Sequence, residues 1–275
     1  MSTPFSCEFA TISLMMLLIS IVLLLKLIFD TLSIVTSFGC NFIIVMIRVF
    51  IGFDEKEVVS YNVLQHSINS RSTLPISITQ INLRQLKGIF IRERNILQST
   101  DFSFYRFLTP YLCNYQGWAI FMDCDMLFLD DITKLWNLRD DKYAVMCVRH
   151  DYKATLEKKF LNNIQTNYKK KNYSSLMLIN CNKCRALTPE YVNSASGLDL
   201  HQFKWLKSDD EIGAIDKRWN YLVDEYEFDG DMSKISNLHY TNGGPYFEKD
   251  KNCRFAKEWI EERKSALECK QVEMV

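Results

Sequence analysis

Neither sign of charge is in excess in this chain: 33 lysines and arginines stand against 33 aspartates and glutamates over 275 residues. That balance removes the bulk electrostatic case for a nucleic-acid partner, which needs a basic face or stripe. Internal repeats and long low-complexity linkers are also missing, so nothing argues for an array of small modules. Cysteine supplies no framework either. The nine cysteines are odd in number and scattered, which fits the thiols of a reducing compartment better than a set of bridges. The amino terminus lacks the basic n-region and the clear small-residue cleavage site of a secretory leader.

What the amino terminus does have is apolar length. From Phe9 to Leu25 there is no charged residue, and ISLMMLLISIVLLLKLIF would cross most of a bilayer at about 1.5 Å per residue. A second uncharged run, Thr31 to Ile47, is richer in Ser and Thr and is broken by Gly39. Residues 1–45 therefore read as a hydrophobic segment and single-pass membrane anchor, and residues 46–275 as one domain. Lys26 and Arg48, on the C-terminal side, favour a cytoplasmic domain. A true start at Met46 would leave a soluble cytoplasmic protein instead.

Beyond Met46 strands and helices alternate. Ile47 to Phe53 (IRVFIGF) is a β-branched and aromatic run typical of a buried strand. Glu55 to Ser70 places Val58, Tyr61, Val63, Leu64 and Ile68 at helical spacing. Pro75 opens a second strand, PISITQINL. Thr100 or Asp101 can cap a helix through Phe104, Phe107 and Leu108, with Pro110 kinking or ending it. Trp118 to Met122 is a further strand, followed by a short helix from Asp131, and then the buried strands Tyr143–Val148 and Ser175–Asn180. This pattern predicts an α/β fold with a mostly parallel central sheet flanked by helices. The lysine-rich stretch from Lys153 to Lys171 reads as a solvated excursion.

Chemistry concentrates in WAIFMDCDMLFLDD, Trp118 to Asp131. In extended backbone Asp123 and Asp125 point the same way, and two like charges on one spot call for a compensating cation. At the C-terminal end of a parallel strand such a pair can hold Mg²⁺ or Mn²⁺ against a ligand diphosphate. An EF-hand is excluded, because position six of that loop would be Phe128 where the turn requires glycine. A haloacid-dehalogenase-type phosphatase also uses Asp-x-Asp, but usually on its first core strand. HYTNGGPYF, His239 to Phe247, sets a histidine before a turn whose glycines, Gly243 and Gly244, could turn backbone N–H groups to phosphate. Cys181 and Cys184 form a lone C-x-x-C, two ligands short of a zinc site.

Taken in order, IRVFIGFDEKE, DFSFYRFLTPYL, WAIFMDCDMLFL, YSSLMLINC, DDEIGAIDKRWN and LHYTNGGPYF resemble GT-A glycosyltransferases of family eight, the group that includes glycogenin. The resemblance runs from about Ile47 to Lys264, and bacterial hypothetical transferases look similar through SGLDLHQFKWL as well. It implies the GT-A (nucleotide-diphospho-sugar transferase) fold, a hexosyl or related transfer from a nucleotide-diphosphate sugar to an unidentified acceptor, and Mn²⁺ (or Mg²⁺) as cofactor. By the same resemblance Asp123, Asp125 and His239 are the metal ligands. Asp54 is a base-contacting acid, with a helix N-cap as the other reading. Arg106 orders the diphosphate side, a surface arginine being its alternative. Asp210 lies beside the sugar, in competition with Asp209 and Glu211. Two departures stand out. Asn242 and Pro245 occupy positions of a glycine and a phosphate-clamping lysine, leaving the Gly243–Gly244 backbone as a possible substitute. Ser174 and Ser175 stand on the acceptor side where an asparagine is usual. Loss of the lysine keeps a nucleotide-sugar binder without turnover as an alternative. Glycosylation of the sequon Asn172-Tyr173-Ser174 would obstruct the acceptor side, which disfavours a lumenal domain. If the metal assignment holds, an imidazole nitrogen of His239 should lie within about 6 Å of an Asp125 carboxylate oxygen.

Overall fold

The computed structural model describes residues 46–94, 98–151 and 169–268, together with Lys26. The anchor reading of residues 1–45 and most of the Lys153–Lys171 stretch lie outside the described residues. Among those described, no helix is long and apolar enough to cross a membrane.

Strand β1 (Ile47–Gly52) is buried along nearly its whole length. Its one less buried residue, Arg48, donates from Nε and Nη2 to the Trp118 carbonyl at 3.1 and 2.8 Å, which ties β1 to the start of β3 (Trp118–Met122). β1 runs parallel to β2 (Ile76–Ile81) on one side and to β3 on the other. β3 then pairs antiparallel with β6 (Leu176–Asn180), β6 antiparallel with β5 (Val145–Val148), and β5 parallel with β7 (Ile212–Ile215). The order is β2-β1-β3-β6-β5-β7, so one reversed strand interrupts a mostly parallel sheet. β2 is at the edge and buries only Ile81, which explains its alternating sequence.

A second, three-stranded sheet has the order β4-β9-β8, from Met126–Phe128, Asn237–His239 and Tyr221–Leu222. β4 and β9 are antiparallel and place Met126 directly opposite His239.

Helix α1 (Val58–Asn69) serves both sheets. Tyr61, Leu64 and Ile68 join the main core, while Val63 packs with Leu127, Leu238 and Trp259 under the small sheet. Val58 is 41% exposed, off both of these faces. The predicted helix after Thr100 is broken up. Thr100 and Ser103 form a capping box over a 3₁₀ turn, a second 3₁₀ turn spans Tyr105–Leu108, and α2 (Thr109–Leu112) follows. Pro110 thus sits in the first turn of α2 instead of ending a helix, a place where its missing N–H costs nothing. α3 (Ile132–Trp136) is capped by Asp131, which accepts from the Thr133 amide at 2.8 Å. α4 (Pro189–Ser194) and α5 (Gly197–His201) are capped by Thr188 and Ser196. α6 (Ala256–Leu267) docks through Trp259 and Glu262.

Candidate metal centre

β3 leads straight into the acidic pair. The Asp123 amide donates to the Ser175 carbonyl at 2.9 Å, extending the β3–β6 ladder by one bond, and the chain then turns into β4. The backbone bends at Cys124 and Asp125, between β3 and β4, yet the two aspartates still serve one point. Asp123 and Asp125 contribute to one group of ligating atoms, while Cys124 between them points into the core with its thiol 3.6 Å from Glu57 Oε2.

His239 comes from the other sheet. The Tyr240 amide donates to the Asp125 carbonyl at 2.9 Å, and the Met126–His239 register sets the imidazole beside the carboxylates. His239 Nε2 lies 3.2 Å from Asp125 Oδ1, well inside the 6 Å expected. One ligating atom from each of Asp123, Asp125 and His239 falls within 4.8 Å of the others. Asp123 and His239 are buried and Asp125 is half-buried. Two carboxylates and an imidazole nitrogen, gathered in a place water barely reaches, are a donor set that fits Mn²⁺ or Mg²⁺.

Arg106 is buried, which overturns its reading as a surface residue. Its Nη1 lies 2.7 Å from Asp123 Oδ1 and donates to the Ser174 carbonyl at 2.9 Å, with the guanidinium carbon 5.2 Å from the ring centres of both Phe102 and Phe121. Asp54 is also buried and caps the 3₁₀ turn Glu55–Glu57. Oδ1 accepts from the Lys56 amide and Oδ2 from the Asp101 amide, each at 3.0 Å. Its capping role is therefore present in the fold.

Other predicted residues sit differently. The Gly243 amide donates to the Tyr240 carbonyl at 2.8 Å, so this N–H closes a turn and does not face a phosphate. Glycine is required there for two reasons: φ is +116°, and a Cβ would fall 2.3 Å from Asp250 Oδ2. At Gly244 a Cβ would meet the Tyr246 ring at 2.4 Å. Ser174 and Ser175 are buried, and their hydroxyls are engaged within the protein. Ser174 Oγ is 2.8 Å from His201 Nδ1, and Ser175 Oγ donates to the Asn172 carbonyl at 2.7 Å. Asn172 itself is buried in left-handed backbone with φ 61°, a poor glycan acceptor. Asp210 is exposed on the 3₁₀ turn Asp209–Glu211, its Oδ2 3.4 Å from Ser208 Oγ. Asp209 pairs with Lys170 at 2.5 Å, and Glu211 Oε2 accepts from the Lys207 amide at 2.8 Å. None of these three acids belongs to the ligating group. Cys181 and Cys184 are buried free thiols.

The centre also contains residues to which no role was assigned from the sequence, although Glu57 and Asn220 close the IRVFIGFDEKE and DDEIGAIDKRWN motifs. Glu57 is buried and accepts from the Tyr246 hydroxyl at 3.1 Å. Burial, then the charges of Asp125 and Asp54, push its carboxyl well above the usual carboxylate range. Asn220 is fully buried behind His239, with Oδ1 2.9 Å from His239 Nδ1 and Nδ2 3.1 Å from His150 Nε2. His150 Nδ1 meets the Tyr226 hydroxyl. Burial first, and His239 second, hold His150 down to about 3, so its ring is neutral at physiological pH. No spacing rule marks these residues.

A family model described as "Glycosyl transferase family 8" matches residues 31–244. Protein CDI of Arabidopsis thaliana is 47% identical over 222 residues, covering 78% of this chain and 85% of that protein. Among solved structures, the apo form of glycosyltransferase GlyE from Streptococcus pneumoniae TIGR4 superposes with a TM-score of 0.53 at 15% identity. That match covers 79% of this chain but only 60% of GlyE. The galactosyltransferase LgtC, solved with donor and acceptor sugar analogues, superposes with a TM-score of 0.51 at 13% identity, over 82% of this chain and 98% of LgtC. At such identities the likeness is one of fold.

Proposed function

This chain belongs to glycosyl transferase family 8 and is a glycosyltransferase of GT-A fold, and from that premise we propose a cation-dependent transfer from a nucleotide-diphosphate sugar. Family membership sets aside the phosphatase reading and that of a binder without turnover. The observation that carries the proposal is the convergence of Asp123, Asp125 and His239 from two sheets onto one point. These three residues would hold Mn²⁺, or Mg²⁺, and a cation there supplies positive charge to the leaving diphosphate. Arg106 fixes the Asp123 carboxylate in position and adds a buried positive charge on the same side of the site. Asp54 would border the base and Asp210 the sugar. The acceptor would approach from the side of Ser174 and Ser175. The Pro245 position, lacking a lysine, shifts the burden of diphosphate binding toward Arg106 and the Gly244 backbone. The transferase domain is taken as residues 46–275.

The test is a panel of nucleotide-diphosphate hexoses, each incubated with Mn²⁺, with Mg²⁺ or with a chelator, reading release of nucleoside diphosphate. Release with at least one donor that stops on chelation supports the proposal. Release indifferent to chelation would refute the cation, and no release from any donor would refute the donor class.

A further inference from the structure

His239 has two ring nitrogens, and only Nε2 faces Asp125. A nitrogen that carries a proton has no lone pair to offer a cation, so the tautomer decides whether Nε2 can serve. The hydrogen bonds behind the ring fix it. The Asn172 carbonyl can only accept, so the Ser175 hydroxyl, 2.7 Å away, gives its single proton there. Ser175 Oγ then has only lone pairs for Asn220, and the atom 2.8 Å from it is the amide nitrogen Nδ2. The other Nδ2 hydrogen meets His150 Nε2 at 3.1 Å. With its nitrogen turned to Ser175 and His150, Asn220 presents its oxygen to His239 Nδ1 at 2.9 Å. An amide oxygen only accepts, so the proton of His239 is on Nδ1. In the neutral ring the lone pair of Nε2 is left pointing at Asp125, 3.2 Å from Oδ1.

We propose that Asn220 is a positioning residue for the metal ligand, holding His239 as the Nδ1–H tautomer so that Nε2 faces a cation shared with Asp123 and Asp125. This rests on the cation-dependent reading of the site. Asn220 ends the 3₁₀ turn Lys217–Asn220 and runs into β8, which lies parallel to β9 with Leu222 opposite His239. The fold therefore delivers the amide to the back of the imidazole. An amide suits this place because it accepts on one side and donates twice on the other. Leucine of similar size would fill the space and do neither, and aspartate would only accept. Partners of this kind orient metal-bound imidazoles, and their loss weakens metal binding about tenfold to a hundredfold.

Nitrogen NMR of the full chain labelled with ¹⁵N-histidine reads the tautomer directly, metal-free and at a pH where imidazole is neutral. His239 is expected with Nδ1 protonated and Nε2 bare. An Nε2–H signal from His239 in the unsubstituted chain would overturn the proposal. Titration with Mn²⁺, following the free ion by electron paramagnetic resonance, gives the second readout. Asn220→Leu should weaken Mn²⁺ binding about tenfold to a hundredfold. Asn220→Asp keeps an oxygen for Nδ1–H and should bind about as tightly as the parent. Both variants lose the donors to Ser175 and His150, so equal weakening in the two would mean a merely structural amide and also overturn the proposal. If Asn220→Leu does not fold, the tautomer of the parent still decides. A parent that shows the Nδ1–H tautomer yet binds no Mn²⁺ refutes the cation reading, and with it the metal role of Asn220, while the tautomer stands.

Discussion

Arg106 and Asp123 form a buried ion pair with 2.7 Å between Nη1 and Oδ1, and neither partner can be removed without stranding the other. Arg106→Ala should lower kcat/KM for the sugar donor about ten- to a hundredfold, roughly 1.5–3 kcal/mol, and should lower Tm as well. Arg106→Lys should not restore activity, because one ammonium cannot reproduce a planar fork reaching Asp123, Ser174 and Phe102. Unchanged kinetics in both variants would remove Arg106 from the site. Glu57 makes the opposite case. Its carboxyl is raised in the fold, chiefly by burial, so its favourable contribution is complete below the unfolded value of about 4.3 and is lost as pH climbs toward the raised one. Glu57→Gln should therefore raise Tm at neutral pH and leave it nearly unchanged at about pH 4. A fall in Tm at neutral pH would show that the charged form is needed. At this scale legibility followed distance along the chain. Asp123 and Asp125 declare themselves by period-two spacing after an apolar strand. Asn220 and His150 find partners 19 and 70 residues away, and although Asn220 closes the DDEIGAIDKRWN motif, nothing local to either residue points to those partners.

Between elements, the clearest electrostatic contact joins the C-terminal end of α1 to α6. Glu262 takes His66 Nδ1 at 2.5 Å and Arg71 Nη2 at 2.6 Å. Burial alone would raise its carboxyl, but the hydrogen bonds from Arg71 and His66 outweigh it and hold the group below its ordinary value. The stability this lends is full above about 4.3 and disappears as pH falls through the depressed value. Glu262→Gln should lower the unfolding free energy at neutral pH by roughly 1–2 kcal/mol once the partial exposure of His66 and Arg71 is discounted, with a lower Tm, and should flatten the acid side of the stability curve. A Tm difference that persists undiminished at low pH would argue against the ion pair. The elements themselves were unevenly readable. Long apolar runs gave β1, β3, β5 and β6 their place. The direction of β6 was hidden, because antiparallel pairing with β3 and β5 depends on which strands become neighbours. β4 and β8, of three and two residues, are too short to show any period, although β4 with β9 carries half the centre.

For the molecule as a whole, the GT-A assignment was readable from the order of six motifs, and residues 1–45 carry a separate expectation, that of a membrane anchor. If they anchor the protein, the full chain should sediment with membranes and resist alkaline extraction, while a chain beginning at Met46 should stay in the supernatant and retain transfer activity. The family match begins at residue 31, which sharpens the test. Should the chain from Met46 be inactive and one from residue 31 active, residues 31–45 belong to the transferase domain and the anchor is shorter than proposed. A different consequence follows from the register that sets Met126 opposite His239. Asp123 continues the six-stranded sheet and His239 the three-stranded one, so the ligating group exists only while both sheets are assembled. An ion seated there would act as a removable rivet between them, and it would grip the folded chain alone. At a hundred times its dissociation constant such an ion adds about 2.7 kcal/mol to the unfolding free energy. Melting temperature should then climb with Mn²⁺ and drop on chelation with no sugar present, which makes heat a gauge of the centre before any donor or acceptor is known.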